Sequence, residues 1–328
     1  MTNKRKLILD CDPGTDDSLC IIMGLLHPEV ELLAITAESG NLRADVSSAN
    51  ARRILEYMGC TNVPVCRGIL HSLVRPHPAD PYSHGEDGLG NHFFPAPQIQ
   101  ESPQPAAMMI VDQVLAHPGE VTLVCTAPLT NVALAMMLKP EIIPLIKEIY
   151  HLGGAYGVTE YAFLNATGDN PMSEWNVYVD PEAAKVVYGS GAKVTTIGLD
   201  IAFNPDAVNI GPHSIRALGQ VGTKASKYAL EIIAFIDKNN SIPERGVFNN
   251  GPIDTGAMCA FLCPEIIQTR EIRIAVDTGQ RLTRGMTIWD RRLHFQWEEG
   301  LYPIRTAVSM DSEKYQEVFV AALSGKSV

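Results

Sequence analysis

Four carboxylates fall within eight positions near the start of the chain: Asp10-Cys11-Asp12-Pro13-Gly14-Thr15-Asp16-Asp17. Lys6-Leu7-Ile8-Leu9 before them is a short apolar run that reads as a buried strand. Behind them Leu19, Ile22, Met23 and Leu26 recur at helical spacing, so a helix is expected to start near Asp16. Pro13-Gly14 turns one element into the other. Acids this dense at a strand-to-helix junction repel one another unless a counter-charge is present. A hard cation bound through oxygen relieves that repulsion, and the helix N-terminus helps a little. The bland alternative is an acidic cap on an ordinary helix, but capping needs one Asp, two at most. The junction reads as a metal site.

The elements that must position it follow a regular order. Glu31–Thr36 reads as a second strand closed by Glu38-Ser39-Gly40-Asn41, Ala44–Met58 as a helix, and Pro64–Gly68 as a short third strand. This βαβαβ opening predicts a parallel, doubly wound sheet of the Rossmann-like kind, in one domain over 1–328. Ligands of such sheets sit outside the carboxyl ends of the strands, where Asp12 and Asn41 fall. No Gly-x-Gly-x-x-Gly follows the first strand, which excludes a nicotinamide or flavin site. Further on, Val121–Thr126 and Ile149–Leu152 read as buried strands ending in Ala127-Pro128-Leu129-Thr130-Asn131 and Gly153-Gly154. Helices are expected over Pro181–Tyr188, Thr223–Ile236 and Asp254–Leu262, and strands over Arg270–Val276 and Ile304–Val308. Two aperiodic stretches, near 75–104 and 237–251, are candidate lids. His84 and His92 lie in the first, and His92 reads as an ordinary loop histidine.

Composition narrows the class. The 328 residues carry 26 Lys and Arg against 37 Asp and Glu, a net charge of −11, with no basic tract. Nucleic acid is therefore not an expected partner. No apolar run approaches a membrane span or a signal-peptide core. The seven cysteines are odd in number and form no Cys-x-x-Cys pair, so reduced core thiols and a cytoplasmic location are expected.

Three motifs in order carry a resemblance. Asp-x-Asp-Pro-Gly-x-Asp-Asp follows the first strand, Thr126-x-Pro128-Leu129-Thr130-Asn131 a central one, and Glu174-Trp175-Asn176 precedes Asp180-Pro181-Glu182. From Leu7 to about Leu323 the chain resembles the inosine–uridine-preferring nucleoside hydrolases, which split ribonucleosides into ribose and free base. The resemblance implies Ca²⁺ held by Asp12, Asp17, the Thr126 carbonyl and Asp254, a set of oxygens suited to that ion. It implies Asp12 as the general base toward a calcium-bound water. Asp16, Asn41, Glu174 and Asn176 are then expected on the ribose hydroxyls, Asn170 on the 5′-hydroxyl, and His84 near the base. Trp175 could stack on the base, Trp289 less so. A homodimer or homotetramer is implied as well. In family members that protonate the base with histidine, that histidine directly precedes the second calcium-binding aspartate. Here Ile253 stands before Asp254, so leaving-group activation has to come from elsewhere.

Two other classes compete. Asp10-Cys11-Asp12 is similar to the start of Mg²⁺-dependent aspartate-nucleophile phosphatases, but Gly14 stands where that pattern has Thr or Val. A non-catalytic nucleoside or sugar binder would have no use for a water-activating base.

Overall fold

Along the first strand, β1 (Arg5–Cys11), Leu7, Leu9 and Cys11 enter one hydrophobic core and Ile8 the other. That alternation marks a strand covered on both faces. The computed structural model describes residues 4–78, 83–164, 166, 171–241, 250–280, 282–292 and 301–327. After β1 come α1 (Thr15–Leu26), β2 (Val30–Ala37), α2 (Ala44–Met58), β3 (Val65–Arg67), α3 (Ala106–Ala116), β4 (Val121–Cys125), α4 (Thr130–Leu138) and β5 (Glu148–Leu152). The middle holds α5 (Trp175–Val179), α6 (Pro181–Tyr188), β6 (Val194–Ile197), α7 (Leu199–Ala202), α8 (Pro212–Val221), α9 (Lys224–Asn240) and α10 (Thr255–Leu262). Strands β7 (Ile267–Arg273), β8 (Ala275–Val276), β9 (Thr287–Ile288) and β10 (Pro303–Met310) precede α11 (Ser312–Leu323).

Eight strands form one sheet in the order β3-β2-β1-β4-β5-β6-β10-β7. Every neighbouring pair is parallel except β10 with β7. The core contains residues of α1, α2, α9, α10 and α11 on one face and of α3, α4 and α6 on the other. The expected doubly wound α/β sheet is therefore present. The chain builds outward from β1 to β2 and β3, then returns to start again at β4. This reversal opens a crevice at the carboxyl ends of β1 and β4, where a ligand finds backbone groups and loops from both halves.

Three local readings are corrected. The strand expected over Arg270–Val276 is broken at Ile274: β7 pairs antiparallel with β10, while β8 leaves to form a hairpin with β9. Helix α9 runs to Asn240, so the second aperiodic stretch begins a turn later than 237. Asp237-Lys238-Asn239-Asn240 contains neither Gly nor Pro to stop a helix whose Ile232, Ile233 and Ile236 are already buried. Residues 242–249 of that stretch lie outside the described residues. The helix α5 was not expected; it is a short turn capped by Glu174.

The described residues of the first aperiodic stretch, 75–78 and 83–104, hold no helix or strand, as expected, and are tied by their own side chains. Asp87 accepts from the N–H groups of Leu89, Asn91 and Phe93 at 2.9, 2.9 and 2.6 Å. His92 bonds the Leu89 carbonyl at 2.6 Å and Glu231 of α9 at 2.9 Å, a structural part for that residue. All seven cysteines are free thiols, five of them buried. Among the described residues no helix is long and apolar enough to cross a membrane.

Candidate active site

Asp12 leaves the end of β1 fully buried. Its Oδ2 accepts from the Asn41 backbone N–H, and among the described residues nothing donates to its Oδ1. Position 40 has to be glycine: a Cβ there would lie 2.1 Å from Asp12 Oδ2 and 2.7 Å from Pro128 Cδ. The turn after β2 thus runs directly against the Asp12 carboxylate. Burial, and then the charge of Asp17, push the Asp12 carboxyl well above the usual carboxylate range, partly offset by the Asn41 N–H.

Asp17 sits in the first turn of α1 and closes a capping arrangement, its Oδ2 accepting from the Gly14 N–H at 3.0 Å. Its Oδ1 accepts from the Thr126 hydroxyl at 2.6 Å, joining the carboxyl ends of β1 and β4. Burial and the charge of Asp16 raise Asp17 to about 6, against hydrogen bonds that lower it. Asp254, at the N-cap of α10, donates its N–H to Asp16 Oδ2 at 3.3 Å. Its carboxyl is driven well upward by burial and then by Asp16, Asp17 and Asp12.

Carboxylate oxygens of Asp16, Asp17 and Asp254 come within 4.8 Å of one another, all three residues buried. The basic side chain nearest these acids among the described residues is His84, whose Nδ1 lies 3.9 Å from Asp16 Oδ1. Such a trio could hold a metal ion. It differs from the expected ligand set in one member, since Asp16 belongs to it and Asp12 stands beside it. The residues fit a hard cation on two counts. Their donors are all oxygen, and the unpartnered Asp12 Oδ1 and the mutual upward shifts are the mark of negative charge without an offset. Thr126 offers its carbonyl, which accepts from Asn176 Nδ2 at 3.1 Å and keeps a second lone pair.

The pocket above these acids has a volume of about 180 Å³. Thr15, Asp16, Asn41, His84, Thr126, Glu174, Trp175, Asn176 and Asp254 line it, so six segments distant in sequence converge. Asn176 donates through Nδ2 to Leu152 at 2.9 Å as well as to Thr126, spanning the ends of β4 and β5. Glu174 is part of the scaffold as well as of the lining. Its oxygens accept from the N–H groups of Asn176, Val177 and Gly154 at 2.7, 3.0 and 3.0 Å, and Oε1, with one of these bonds, keeps a second lone pair. Trp175 stacks on Tyr178 with ring centroids 5.8 Å apart, and its indole N–H has no partner among the described residues.

His84 comes down from the irregular loop onto the start of α1. Its Nδ1 lies 3.1 Å from the Thr15 N–H and 2.9 Å from the Thr15 hydroxyl, and its ring covers Gly14, where a Cβ would fall 2.5 Å from Nδ1. Trp289 is elsewhere: its indole donates to the Tyr156 carbonyl at 2.8 Å, under the guanidinium of Arg291. Asn170 lies outside the described residues.

Sequence reasoning missed several participants. Ile236 of α9 and Leu152 and Leu199 add to Ile253 as apolar pocket lining. A second row of acids stands behind the first: Asp10 accepts from Thr36 at 2.6 Å and from Asn131 Nδ2 at 3.0 Å, while the Asn131 N–H binds Glu38. Burial raises Asp10 to about 7. The Asp10 and Asn131 positions were visible in the motifs; their contact, across more than a hundred residues, was not.

Fold and site together define a doubly wound α/β protein with an acidic, all-oxygen pocket at the point where its strand order reverses. Residues 7–317 match the model of the inosine-uridine preferring nucleoside hydrolase family, and the chain belongs to that family. It is an enzyme that hydrolyses the N-glycosidic bond of ribonucleosides. The chain is 34% identical to an inosine-uridine preferring nucleoside hydrolase of Leishmania major, with 97% of each chain covered. It is also 34% identical to a pyrimidine-specific ribonucleoside hydrolase of Escherichia coli, over 88% of each. Among solved structures, a purine-preferring ribonucleoside hydrolase from Gardnerella vaginalis superposes with a TM-score of 0.85 at 29% identity, covering 98% of both chains. A plant nucleoside hydrolase gives 0.86 at 28%, over 98% of this chain and 99% of the other.

Proposed function

We propose that this hydrolase works with a divalent cation, calcium by the chemistry of its donors, held by Asp12, Asp17, Asp254 and the Thr126 carbonyl with Asp16 beside them. The single observation that carries the reading is the buried cluster of Asp16, Asp17 and Asp254 beside an unpartnered Asp12 oxygen. When bound, the cation supplies positive charge to the acids and polarises the attacking water. Asp12 takes the proton from that water through its unpartnered Oδ1 while the Asn41 N–H holds Oδ2. Asp16, Asn41, Glu174 and Asn176 hold the ribose hydroxyls, and Glu174 also sets the backbone beneath them. They fix the sugar as its anomeric carbon gains oxocarbenium character.

The leaving base lies against Ile253, Ile236 and Trp175. His84 is the one histidine among the described lining residues. Its Nδ1 faces the Thr15 N–H, which can only donate, so the neutral ring carries its proton on Nε2. That N–H is the donor available to the departing base in place of the histidine that Ile253 replaces. The relatives' named preferences span inosine-uridine, pyrimidine and purine substrates, so the base class of this chain is set by these few lining side chains. A homodimer or homotetramer and a cytoplasmic location belong to the same proposal, and sedimentation of the purified protein checks the former.

The test is free ribose released from a panel of purine and pyrimidine ribonucleosides, with Ca²⁺ and after chelation. Ribose from at least one nucleoside, lost on chelation and regained with Ca²⁺, is the expected result. Turnover that survives complete chelation would overturn the cation's part. Inorganic phosphate released from phosphate esters with Mg²⁺, without ribose release, would favour the phosphatase chemistry instead.

A further inference from the structure

We infer that His77 is a positioning residue of this site, acting on Asp12 through a single peptide unit. His77 stands half-buried in the irregular stretch after β3, and its Nε2 lies 2.8 Å from the Gly40 carbonyl oxygen. A carbonyl only accepts, so His77 donates an N–H there. Burial lowers its tendency to protonate, which keeps it a neutral ring with its proton on that nitrogen. The N–H at the other end of the same peptide belongs to Asn41, and that N–H is the one given to Asp12 Oδ2. The carbonyl and the N–H of a trans peptide point in opposite directions. Holding the Gly40 oxygen with His77 therefore aims the Asn41 hydrogen at the carboxylate.

The hold is needed because this peptide is easy to turn over. Rotating it changes ψ of residue 40 and φ of residue 41, and residue 40 is glycine, which adopts almost any backbone angle. Glycine is imposed at 40 by the approach of Asp12, whose Oδ2 occupies the place of a side chain. Reversed, the peptide would turn its carbonyl toward Asp12 and leave a buried carboxylate facing a negative dipole. The remaining local tie, the Gly40 N–H to the Leu42 carbonyl at 3.0 Å, belongs to the preceding peptide and does not oppose that rotation. His77 does. The chain from imidazole N–H to carbonyl to amide N–H to carboxylate also polarises along its length.

This inference rests on Asp12 being the general base, and its test separates the two. His77→Phe and His77→Met remove the donor while filling space; His77→Gln replaces it, since the Gln amide nitrogen reaches about as far as Nε2. In the donor-free variants kcat for ribose release is expected to fall on the order of tenfold with KM within about twofold, and His77→Gln to recover most of it. In the metal-free protein, exchange of the Asn41 amide hydrogen with deuterium is expected to speed up by on the order of tenfold in the donor-free variants and to return toward wild type in His77→Gln. On an Asp12→Asn background His77→Phe is expected to cause no further loss of kcat. Unchanged Asn41 exchange in both donor-free variants would overturn the inference, whatever their kcat. So would a further loss of kcat on the Asp12→Asn background. Full activity of Asp12→Asn alone would overturn the general-base reading, and the Asn41 exchange would still decide whether His77 holds the peptide.

Discussion

Without a bound cation, Asp17 should contribute less stability as pH rises from 4 to 7, a contribution opposite in sign to ordinary acid denaturation, and its raised carboxyl gives the size of the effect. In the metal-free fold its carboxyl is raised from 3.8 to about 6 by burial and by the charge of Asp16. A raised folded-state value means the folded protein holds its proton more tightly than the unfolded chain. The corresponding stability is present in full below about pH 4 and is lost as pH climbs through 6. A shift of about two units at about 1.4 kcal/mol per unit is on the order of 3 kcal/mol. For a chain of 328 residues, an unfolding entropy of about 2 cal/mol/K per residue converts this into a melting temperature lower by roughly 4 °C. The assay is scanning calorimetry of chelated protein from pH 4 to 7, for wild type and Asp17→Asn. Surface acids with lowered values impose an opposite slope on both proteins, so the difference between the two curves is the measured quantity. Wild type should lose about 3 kcal/mol relative to Asp17→Asn across that window, and Ca²⁺ should restore it at pH 7. Parallel curves, with or without Ca²⁺, would refute the idea that these acids stand uncompensated in the metal-free fold.

Other outcomes follow from particular contacts. Gly40→Ala places a Cβ 2.1 Å from Asp12 Oδ2, so kcat should drop by at least about a hundredfold with the fold retained by circular dichroism. Gly219→Ala, in α8 with nothing within 4 Å of the new methyl, should leave kinetics unchanged and raise stability by about 0.5–1 kcal/mol in urea unfolding. Asn176→Ala leaves the Thr126 and Leu152 carbonyls without their shared donor, and should cost about 1–3 kcal/mol together with a rise in KM for ribonucleosides. His84→Phe keeps the ring over Gly14 but removes Nε2–H; ribose release should slow most for nucleosides with poor leaving bases, and an equal loss across the panel would argue against a hydrogen bond from His84 to the leaving base.

The chemistry at the end of β1 was legible in the chain because it is local. Asp10 to Asp17 lie along a strand, a turn and the first turn of a helix, and such short-range geometry follows from periodicity and turn residues alone. The parallel winding was legible for a similar reason, since apolar runs alternating with helical patterns admit few topologies. Membership of the family was likewise carried by motifs in order. What the chain could not disclose are pairings across long loops. Asp254 meets Asp16 only because α10 packs beside α1, and His77 meets Gly40 only because the stretch after β3 folds back over the turn after β2. Glu174 stands out in its motif as a pocket residue, but that its two oxygens also accept from three backbone N–H groups is a demand that arises only once β5 and α5 are set end to end. The antiparallel β7 looked like any other strand, because side-chain alternation carries no sign of direction. Sequence determined which acids are present and which elements carry them; tertiary structure decided which of them share one pocket, because burial and mutual repulsion depend on distances in space that the order of residues does not contain.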